Sequence, residues 1–473
     1  MKDIVIKVIN PVFSQIQGEK PLVKEIVNKI KQKEVISFSK EYWRKTWGKG
    51  KVKQIYLKHM ISNDGIFLTG LVNIIADFLT EEDYNVLIKE NKKQFIIDSP
   101  KLNNITLREE QEEIRKEACV WGTGVIKAST GSGKTVIAGS IISSYIQANL
   151  NFKVLFLCHT ISLLNQTAEE FNNKLGITSC RIGGKSKDKL TEQVVIGTIQ
   201  SVSKMELSFL EQFDMVIVDE VHRVNSEDSQ YYKTLIKITA SLRFGFTATL
   251  PSTKEGRLVL EGLIGPVIGS PDIKKEIADG ILAKPFLKLI VVPKRMIEEK
   301  KYQDIYDICI VDNIQRNILI RDEAIALAKE GKTTLIYVSK ITHIENLLAL
   351  LKDKVKVKVV YGITEGIERE LLRKELQQKE VQVVIASVVW KEGINIPSLN
   401  TIIMGGGGKA EIAVLQTIGR GLRVFEGKNS LLIIDFLDPG KYLAAHSLER
   451  IRIYTGRNFM LSGVNIYNPE EGE

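Results

Sequence analysis

The sequence predicts an α/β protein with two tandem parallel-sheet lobes, preceded by a small α+β accessory domain. Three observations support this fold: short continuous apolar runs rich in β-branched residues, helical spacing of apolar residues between those runs, and a restart of the whole pattern beyond residue 330. Strands that are buried on both faces of a parallel sheet have this composition. Two successive sets of alternating strands and helices therefore predict two lobes.

The predicted strands form one series before residue 220 and another after residue 330. Their members are residues 154–158, 194–196 and 215–218, then 334–338, 357–360, 381–385, 401–404 and 431–434. Glycine and proline cluster at 265–285, which is typical of a join between domains. We therefore predict an accessory domain at 1–100, a first lobe at 101–275 and a second lobe at 276–473.

Residues 1–100 follow a different pattern from both lobes. They begin with a strand-like segment, continue with an amphipathic helix at 21–33, and include an apolar helix at 70–79. With 17 basic and 12 acidic side chains, they carry +5 of the chain's formal net charge of +9. A basic balance is compatible with a polyanionic partner, although many proteins are mildly basic.

Composition excludes several classes of protein. No apolar run approaches the roughly 20 residues that span a bilayer, and the N-terminus lacks the apolar core of a signal peptide. We therefore expect a cytoplasmic protein that does not contact a membrane. The cysteines are scattered without a Cys-x-x-Cys pair, which argues against a zinc site or a disulfide framework. They are Cys119, Cys158, Cys180 and Cys309.

A loop between a predicted strand and a predicted helix has the pattern of a phosphate-binding loop, or P-loop. Residues 128–135 read Ala-Ser-Thr-Gly-Ser-Gly-Lys-Thr, with Ala128 where the strict pattern has glycine. Glycines let successive N–H groups approach phosphate oxygens at the start of a helix. Lys134 would contact the β- and γ-phosphates, and the Thr135 hydroxyl would bind Mg²⁺. The other predicted cradle residues are Thr130, Gly131, Ser132 and Gly133.

Two carboxylates follow a predicted buried strand farther along the chain, in the sequence Asp-Glu-Val-His at 219–222. Strand ends of this kind bind ligands in α/β folds. Asp219 would hold Mg²⁺, and Glu220 would orient and deprotonate the attacking water. His222 is either a surface histidine at a helix start or a residue that senses γ-phosphate chemistry, and the second interpretation is favoured. These motifs predict a magnesium-dependent NTPase.

Over residues 107–455 the motifs resemble those of the superfamily-2 (DExH) helicases. The resemblance implies two RecA-like lobes and ATP as the nucleotide, with Gln111 reading the adenine base. The alternative places Gln111 on the solvated face of a charged helix start. The segment Thr247-Ala-Thr249 matches the family motif that links hydrolysis to lobe movement.

The resemblance also implies contacts with a nucleic-acid strand in the first lobe. His159 stands where the family usually has proline. Small hydroxyls and backbone amides suit phosphate contacts that do not depend on base sequence. The predicted contact residues are Thr160, Gly184, Thr198 and Gln200.

In the second lobe, two segments resemble family motifs. The sequence 392–397 carries Gly393, a predicted nucleotide contact, and has Asn395 where aspartate is commoner. Residues 416–423 place Arg420 and Arg423 on one face of a predicted helix. Two guanidinium groups would stabilise charge on the transferring phosphoryl group, as arginine fingers do. The alternative is a solvated arginine pair.

Residues 40–58 carry seven cations and one anion, interleaved with aromatic residues. Cations bind phosphates and aromatic rings stack on bases, so Trp47, Lys49 and Lys51 are predicted to contact nucleic acid. The alternative is a basic hairpin whose aromatic rings belong to the core of the accessory domain. This region, like residues 442–454, is similar to bacteriophage UvsW-type helicases, which remodel branched DNA.

The leading prediction is an ATP-dependent DNA helicase, with ATP and Mg²⁺ as cofactors, that acts on branched or forked DNA. The resemblance implies branch migration, fork remodelling and R-loop removal, and RNA–DNA hybrids are further candidate substrates. A monomer is favoured, in the host cytoplasm if the chain is phage-encoded. The alternatives are a duplex translocase without strand separation, an RNA helicase, and an ATP-switched nucleic-acid clamp or sensor.

Overall fold

The computed structural model of the protein forms two compact units that divide near residue 271. The residues it describes are 2–46, 50–91, 93–103, 105–128, 132–184, 186–187, 190–269, 283–294, 298, 301–361, 371–372, 374–376, 378, 380–387, 399–407, 430–456 and 459–466. Within these ranges, no helix combines the length and the apolar character needed to cross a membrane.

The accessory domain begins the first unit and contains a mixed sheet, two helices and a hairpin. Its elements are β1 (Lys2–Val8), β2 (Phe13–Gln17), α1 (Lys20–Gln32), β3 (Ser37–Thr46), β4 (Gly50–His59), β5 (Ile66–Leu68), α2 (Val72–Glu81) and β6 (Tyr84–Lys89). The sheet has the strand order β5-β2-β1-β6, with β1 and β6 parallel, and β3 and β4 form a separate antiparallel hairpin. The Asn10 side chain accepts hydrogen bonds from the N–H groups of Val12 and Phe13, which closes the turn between β1 and β2.

The first lobe follows in the same unit and is built on an eight-stranded sheet. Its strands are β7 (Thr123–Lys127), β8 (Val154–Cys158), β9 (Ser179–Gly183), β10 (Ser186–Lys187), β11 (Val194–Thr198), β12 (Met215–Asp219), β13 (Leu242–Thr247) and β14 (Val267–Gly269). The order is β10-β9-β11-β8-β12-β13-β7-β14, and the pairings are parallel except for that of β10. Strands β8 and β11 are buried along their whole length, which explains their continuous apolar sequences.

Helices cover this sheet, and local capping residues set several of their ends. They are α3 (Glu109–Trp121), α4 (Lys134–Ile146), α5 (Ile161–Glu170), α6 (Ile199–Val202), α7 (Leu207–Leu210), α8 (Gln230–Leu235) and α9 (Lys254–Ile264). Gly122 adopts the left-handed conformation that ends α3. The hydroxyls of Thr160, Ser229 and Thr253 accept N–H groups at the starts of α5, α8 and α9.

The second unit contains a seven-stranded sheet. Its strands are β15 (Lys284–Val291), β16 (Thr334–Tyr337), β17 (Val357–Val360), β18 (Val383–Ala386), β19 (Thr401–Met404), β20 (Ser430–Leu437) and β21 (Met460–Ile466). The order is β17-β18-β16-β19-β20-β15-β21, and all these pairings are parallel. The described helices are α10 (Tyr302–Tyr306), α11 (Ile314–Lys329), α12 (Ile341–Leu351) and α13 (Lys441–Gly456). The predicted fold, two parallel-sheet lobes after a small α+β domain, is confirmed.

The accessory domain and the first lobe share one hydrophobic core, which runs from Ile4 and Ile6 through Leu71 to Val259 and Leu263. Their backbones touch where the turn at residues 69–71 meets α9. A Cβ built at Gly70 would lie 1.9 Å from the carbonyl oxygen of Glu261. A Cβ on Gly262 would lie 2.7 Å from a methyl carbon of Leu68. Glycine on each side therefore permits backbone contact between the two parts.

In the second unit, two fully buried arginines hold the loop after β19. Arg316 forms a bidentate ion pair with Asp438 and donates to the carbonyl of Gly405 at 2.6 Å. Arg450 forms a bidentate pair with Asp435 and donates to the carbonyl of Gly407 at 2.8 Å. The Tyr306 hydroxyl donates to the intervening carbonyl of Gly406. Three consecutive carbonyls are therefore fixed by buried side chains.

Candidate functional site

The predicted site residues of the first lobe lie along one edge of its sheet, at the carboxyl ends of the parallel strands. Strands β7, β13 and β12 lead into the P-loop, Thr247 and Asp219. The neighbouring strands β8, β11 and β9 lead into Thr160, Thr198 and Gly184. Open α/β sheets bind ligands at this edge. The fold therefore brings the predicted nucleotide and nucleic-acid residues side by side.

At the P-loop, Gly133 adopts the left-handed conformation with φ 90° directly before α4. A Cβ built there would lie 2.4 Å from Nε2 of Gln111. Gln111 is buried, and its Oε1 accepts the N–H of Arg108 at 3.1 Å. The solvated-face alternative for Gln111 is therefore wrong, because its amide lies against the P-loop. Ser132, the preceding residue of the loop, is also buried.

Glu220 occupies an unusual backbone conformation at the end of β12. Its φ of 50° is left-handed, which costs a non-glycine residue on the order of 1–3 kcal/mol. In this position its Oε1 lies 3.3 Å from Nζ of Lys134, and its Oε2 lies 3.3 Å from Nδ1 of His222. Burial alone would raise the pKa of Glu220, but the charge of Lys134 and the polar contact with His222 hold that pKa below its usual value. The carboxylate is therefore ionised at neutral pH.

Asp219 is a half-buried carboxylate that suits a magnesium ion. Burial raises its pKa to about 6, and its Oδ1 accepts the N–H of Glu220 at 2.9 Å. Mg²⁺ prefers such oxygen donors, and Thr135 supplies a hydroxyl in the first turn of α4. No group of three or more protein metal ligands occurs within the described ranges. A magnesium ion here would therefore take its other ligands from phosphates and water.

His222 connects the carboxylate segment to the Thr247-Ala-Thr249 segment. The Thr247 hydroxyl donates to the carbonyl of Thr249 at 2.7 Å, so it accepts from Nδ1 of His222 at 3.0 Å. His222 is buried rather than a surface residue. Its contacts with Glu220 and Thr247 support the predicted coupling role, because movement of either would be felt by the other.

The predicted nucleic-acid contact residues differ in the exposure and the hydrogen bonding of their side chains. The Thr198 hydroxyl is buried and donates to Ser201, whereas Gln200 beside it is exposed. The Thr160 hydroxyl accepts the N–H of Leu163. Gly184 adopts a left-handed φ of 61° directly after β9. At the end of β11, Gln200 is therefore the predicted residue whose side chain would contact a nucleic-acid strand.

His159, which stands where the family usually has proline, makes a ring contact within the first lobe that the sequence did not predict. Its ring stacks on the ring of Tyr231, with centroids 6.4 Å apart. Burial, and then the charge of Arg223, lower the pKa of His159 to about 4, so the ring is neutral at pH 7. Tyr231 is buried in α8 with the carboxylates of Asp219 and Glu220 as electrostatic neighbours. The polar sequence around Tyr231 does not indicate this position.

The basic segment 40–58 folds as the hairpin β3–β4, with Lys45 opposite Lys51 in the register. At its base, Lys40 contacts Asp228 at 2.6 Å, and Lys58 pairs with Glu227. These two cations therefore bind carboxylates of the first lobe. No sequence motif indicated the two acidic partners.

Several predicted site residues lie outside the described residues. They are Trp47, Lys49, Thr130, Gly131, Gly393, Arg420 and Arg423. The described part of the second unit nearest in sequence to the predicted arginine fingers is β20, which begins at Ser430.

Two family models match the chain. Residues 104–252 match the res subunit of type III restriction enzymes, and residues 315–425 match the helicase conserved C-terminal domain. Together they cover just over half of the chain and include every motif described above from Gln111 to Arg423. The chain is a superfamily-2 helicase. It is therefore an ATP-hydrolysing enzyme that works on nucleic acid.

Known relatives of this helicase include viral and archaeal proteins. It is 26% identical over 382 residues to the ATP-dependent DNA helicase uvsW of Enterobacteria phage T4, covering 72% of this chain and 74% of the relative. It is 27% identical over 370 residues to the DNA 3'-5' translocase XPB2 of Sulfurisphaera tokodaii, covering 70% and 81%. A fragment of a type I restriction enzyme HsdR subunit from Vibrio vulnificus matches 96% of this chain and 84% of its own, with a TM-score of 0.56 and 17% identity. This last likeness shows the fold alone.

Proposed function

We propose that this helicase is an ATP-dependent DNA helicase that acts on branched DNA through branch migration, fork remodelling and R-loop unwinding. The observation that carries the proposal is a basic hairpin fixed to the lobe that holds the nucleotide site. A hairpin mounted in this way can engage a second DNA segment while the edge of the sheet contacts a single strand. The names of the relatives, a DNA helicase and a DNA translocase, support DNA as the substrate.

In the proposed reaction, Lys134 would neutralise the β- and γ-phosphates, and Asp219 with Thr135 would hold Mg²⁺. Lys134 contacts Glu220 in the structure, so bound phosphates would draw the ammonium away and leave the carboxylate facing the attacking water. Arg420 and Arg423 would stabilise the transferring phosphoryl group from the second lobe, and Gly393 would contact the nucleotide. Gln111 would read the adenine, since it lies against the P-loop.

The substrate is tested by the ATPase rate with different nucleic acids. We expect four-way junctions and forks to stimulate hydrolysis more than linear duplex, single-stranded DNA or RNA. Stimulation by RNA alone would reject DNA as the substrate. Stimulation by duplex without strand displacement would favour a translocase. If Lys134→Ala abolished hydrolysis but left junction migration intact, a clamp or sensor would replace the motor.

We predict that shortening the hairpin weakens junction binding about 10- to 100-fold, because stacking and phosphate contacts would both be lost. Residues 42–54 are replaced by Asn-Gly, which joins the register partners Glu41 and Ile55 by a two-residue turn. The ion pairs of Lys40 and Lys58 are retained. Affinity is measured by filter binding at several salt concentrations.

A full deletion of residues 1–100 is a poor test of the same idea, since it would expose the core that the accessory domain shares with the first lobe. The control for the shortened hairpin is its ATP affinity, which we expect to match that of the intact chain. Unchanged junction affinity and an unchanged salt slope would reject the hairpin as a DNA contact.

A further inference from the structure

We propose that the base of the basic hairpin is a positioning element that senses the state of the nucleotide site, through an acidic seat on the first lobe. The seat consists of Glu227, Asp228 and Glu255, called the hairpin seat below. Its role in moving DNA rests on the proposed function, whereas its link to the nucleotide site depends only on contacts within the first unit. None of these three residues belongs to the motifs at 219–222 and 247–249 described above.

The hairpin seat binds one lysine from each strand of the hairpin. Lys58 of β4 pairs with Glu227, and Lys40 of β3 contacts Asp228 at 2.6 Å and Glu255 at 3.6 Å. The side chains of Lys40, Glu227 and Glu255 are about four-fifths buried, so solvent screens these charges less than those of a surface pair. The hydrogen bond from Lys40 to Asp228 raises the pKa of Lys40, which therefore stays charged.

Both halves of the hairpin seat follow directly from the motifs of the nucleotide site. Glu227 and Asp228 lie seven and eight residues after Glu220, and Glu255 lies six residues after Thr249. These two motifs are themselves joined by the hydrogen bond between His222 and Thr247. Each motif is therefore followed by a short segment that ends at the hairpin seat. A change at the γ-phosphate that shifts either motif would also shift that segment.

The connecting segments are short and well packed, so displacement would be transmitted rather than absorbed. Val221 and Val224 are fully buried, and the Ser229 hydroxyl donates to the carbonyl of Ser226 at 2.7 Å. The loop also lies close to α9, since a Cβ built at Gly256 would be 3.3 Å from the carbonyl oxygen of Asn225. Packed elements of this kind move as units.

The hairpin also has an apolar attachment beside the charged one. Phe38, two residues before Lys40, is buried in the shared core, and the Lys254 ammonium donates to the carbonyl of Glu34 at 3.3 Å. The apolar contacts hold the accessory domain in place, and the ion pairs set the angle of the hairpin. Disturbing the hairpin seat should therefore change coupling without detaching the domain.

Hydrogen exchange tests the link directly. In the full-length chain, a non-hydrolysable ATP analogue should change amide exchange in the segments next to Lys40 and Lys58. Glu227→Lys should abolish that change, because it places a cation beside Lys58. The reciprocal double variant, Lys58→Glu with Glu227→Lys, should restore it by re-forming the pair with opposite signs. Absence of any change in the wild-type chain would overturn the inference.

The matched control reverses a carboxylate of a similar ion pair elsewhere in the accessory domain. Glu82 contacts Lys29 at 2.8 Å, away from the first lobe, and Glu82→Lys makes the same change in net charge. This variant should respond to the analogue as the wild type does. Unfolding profiles of each variant identify any loss of structure, and an equal loss of response in both single variants would overturn the proposed role of the hairpin seat.

The consequence for DNA is measured as junctions migrated per ATP hydrolysed. Glu227→Lys should lower this ratio about tenfold, in keeping with the cost of misplacing a positioning group, while ATP hydrolysis without DNA stays within twofold of wild type. If the wild type migrates junctions and Glu227→Lys does so with equal efficiency, the inference fails. If the wild type migrates none, the proposed substrate fails, and hydrogen exchange alone decides the link.

Discussion

Replacing Glu220 by glutamine is expected to slow nucleic-acid-stimulated ATP hydrolysis by about 10²- to 10⁴-fold, the range for loss of a general base, while ATP still binds. The carboxylate sits in a left-handed backbone position beside Lys134 and His222, and its pKa is held low, so it is ionised and placed to accept a proton. Glutamine keeps the shape but cannot accept that proton. Single-turnover hydrolysis and equilibrium binding of an ATP analogue separate the two effects.

The control for Glu220→Gln is Glu211→Gln, which removes an exposed carboxylate at the end of α7 in the same lobe. We expect its hydrolysis rate to equal that of the wild type. A rate within threefold of wild type for Glu220→Gln, or a parallel loss of analogue binding, would show that Glu220 is not the base.

The second large effect is structural and concerns the second lobe. Arg450→Met should destabilise this lobe by about 3–5 kcal/mol, the cost of leaving one partner of a buried ion pair alone. Asp435 would lose its bidentate partner, and the carbonyl of Gly407 would lose its donor. Hydrogen exchange of the β20 amides under native conditions measures the change within this lobe. Because the chain has several domains, one global unfolding midpoint would not isolate it.

Arg452→Met is the matched control, since it removes the same side chain two residues along α13. Arg452 is largely exposed and contacts Glu449 at 3.4 Å, so its loss should change stability by no more than about 0.5 kcal/mol. If the β20 amides were equally protected from hydrogen exchange in Arg450→Met and Arg452→Met, the buried pair of Arg450 would not stabilise the lobe.

The sequence predicted several strands of the two sheets well because these strands are buried along all or nearly all of their length. The runs at β8, β12 and β19 are continuous and apolar, so composition alone located them. The candidate phosphate and magnesium residues could be predicted because the P-loop motif and the carboxylates are short and local. The helix predicted at 70–79 instead begins at Val72, since Gly70 belongs to a turn that touches α9.

What the sequence did not predict depends on contacts between distant residues. Lys58 and Glu227 are separated by 169 positions, and each alone looks like an ordinary surface charge. The stacking of His159 on Tyr231 likewise joins two elements without a shared pattern. Periodicity describes the neighbours of a residue along its own element, and it carries no information on which element packs opposite.

The shared core has a consequence for how the chain is made. The apolar face at Leu68 and Leu71 is completed only by α9, whose last residue, Ile264, is about 190 residues later in the chain. At about 5–20 residues per second, a ribosome would leave this face uncovered for roughly 10–40 s. The N-terminal segment is therefore expected to remain incompletely packed until α9 has been synthesised. Slower translation before α9 should increase aggregation of nascent chains.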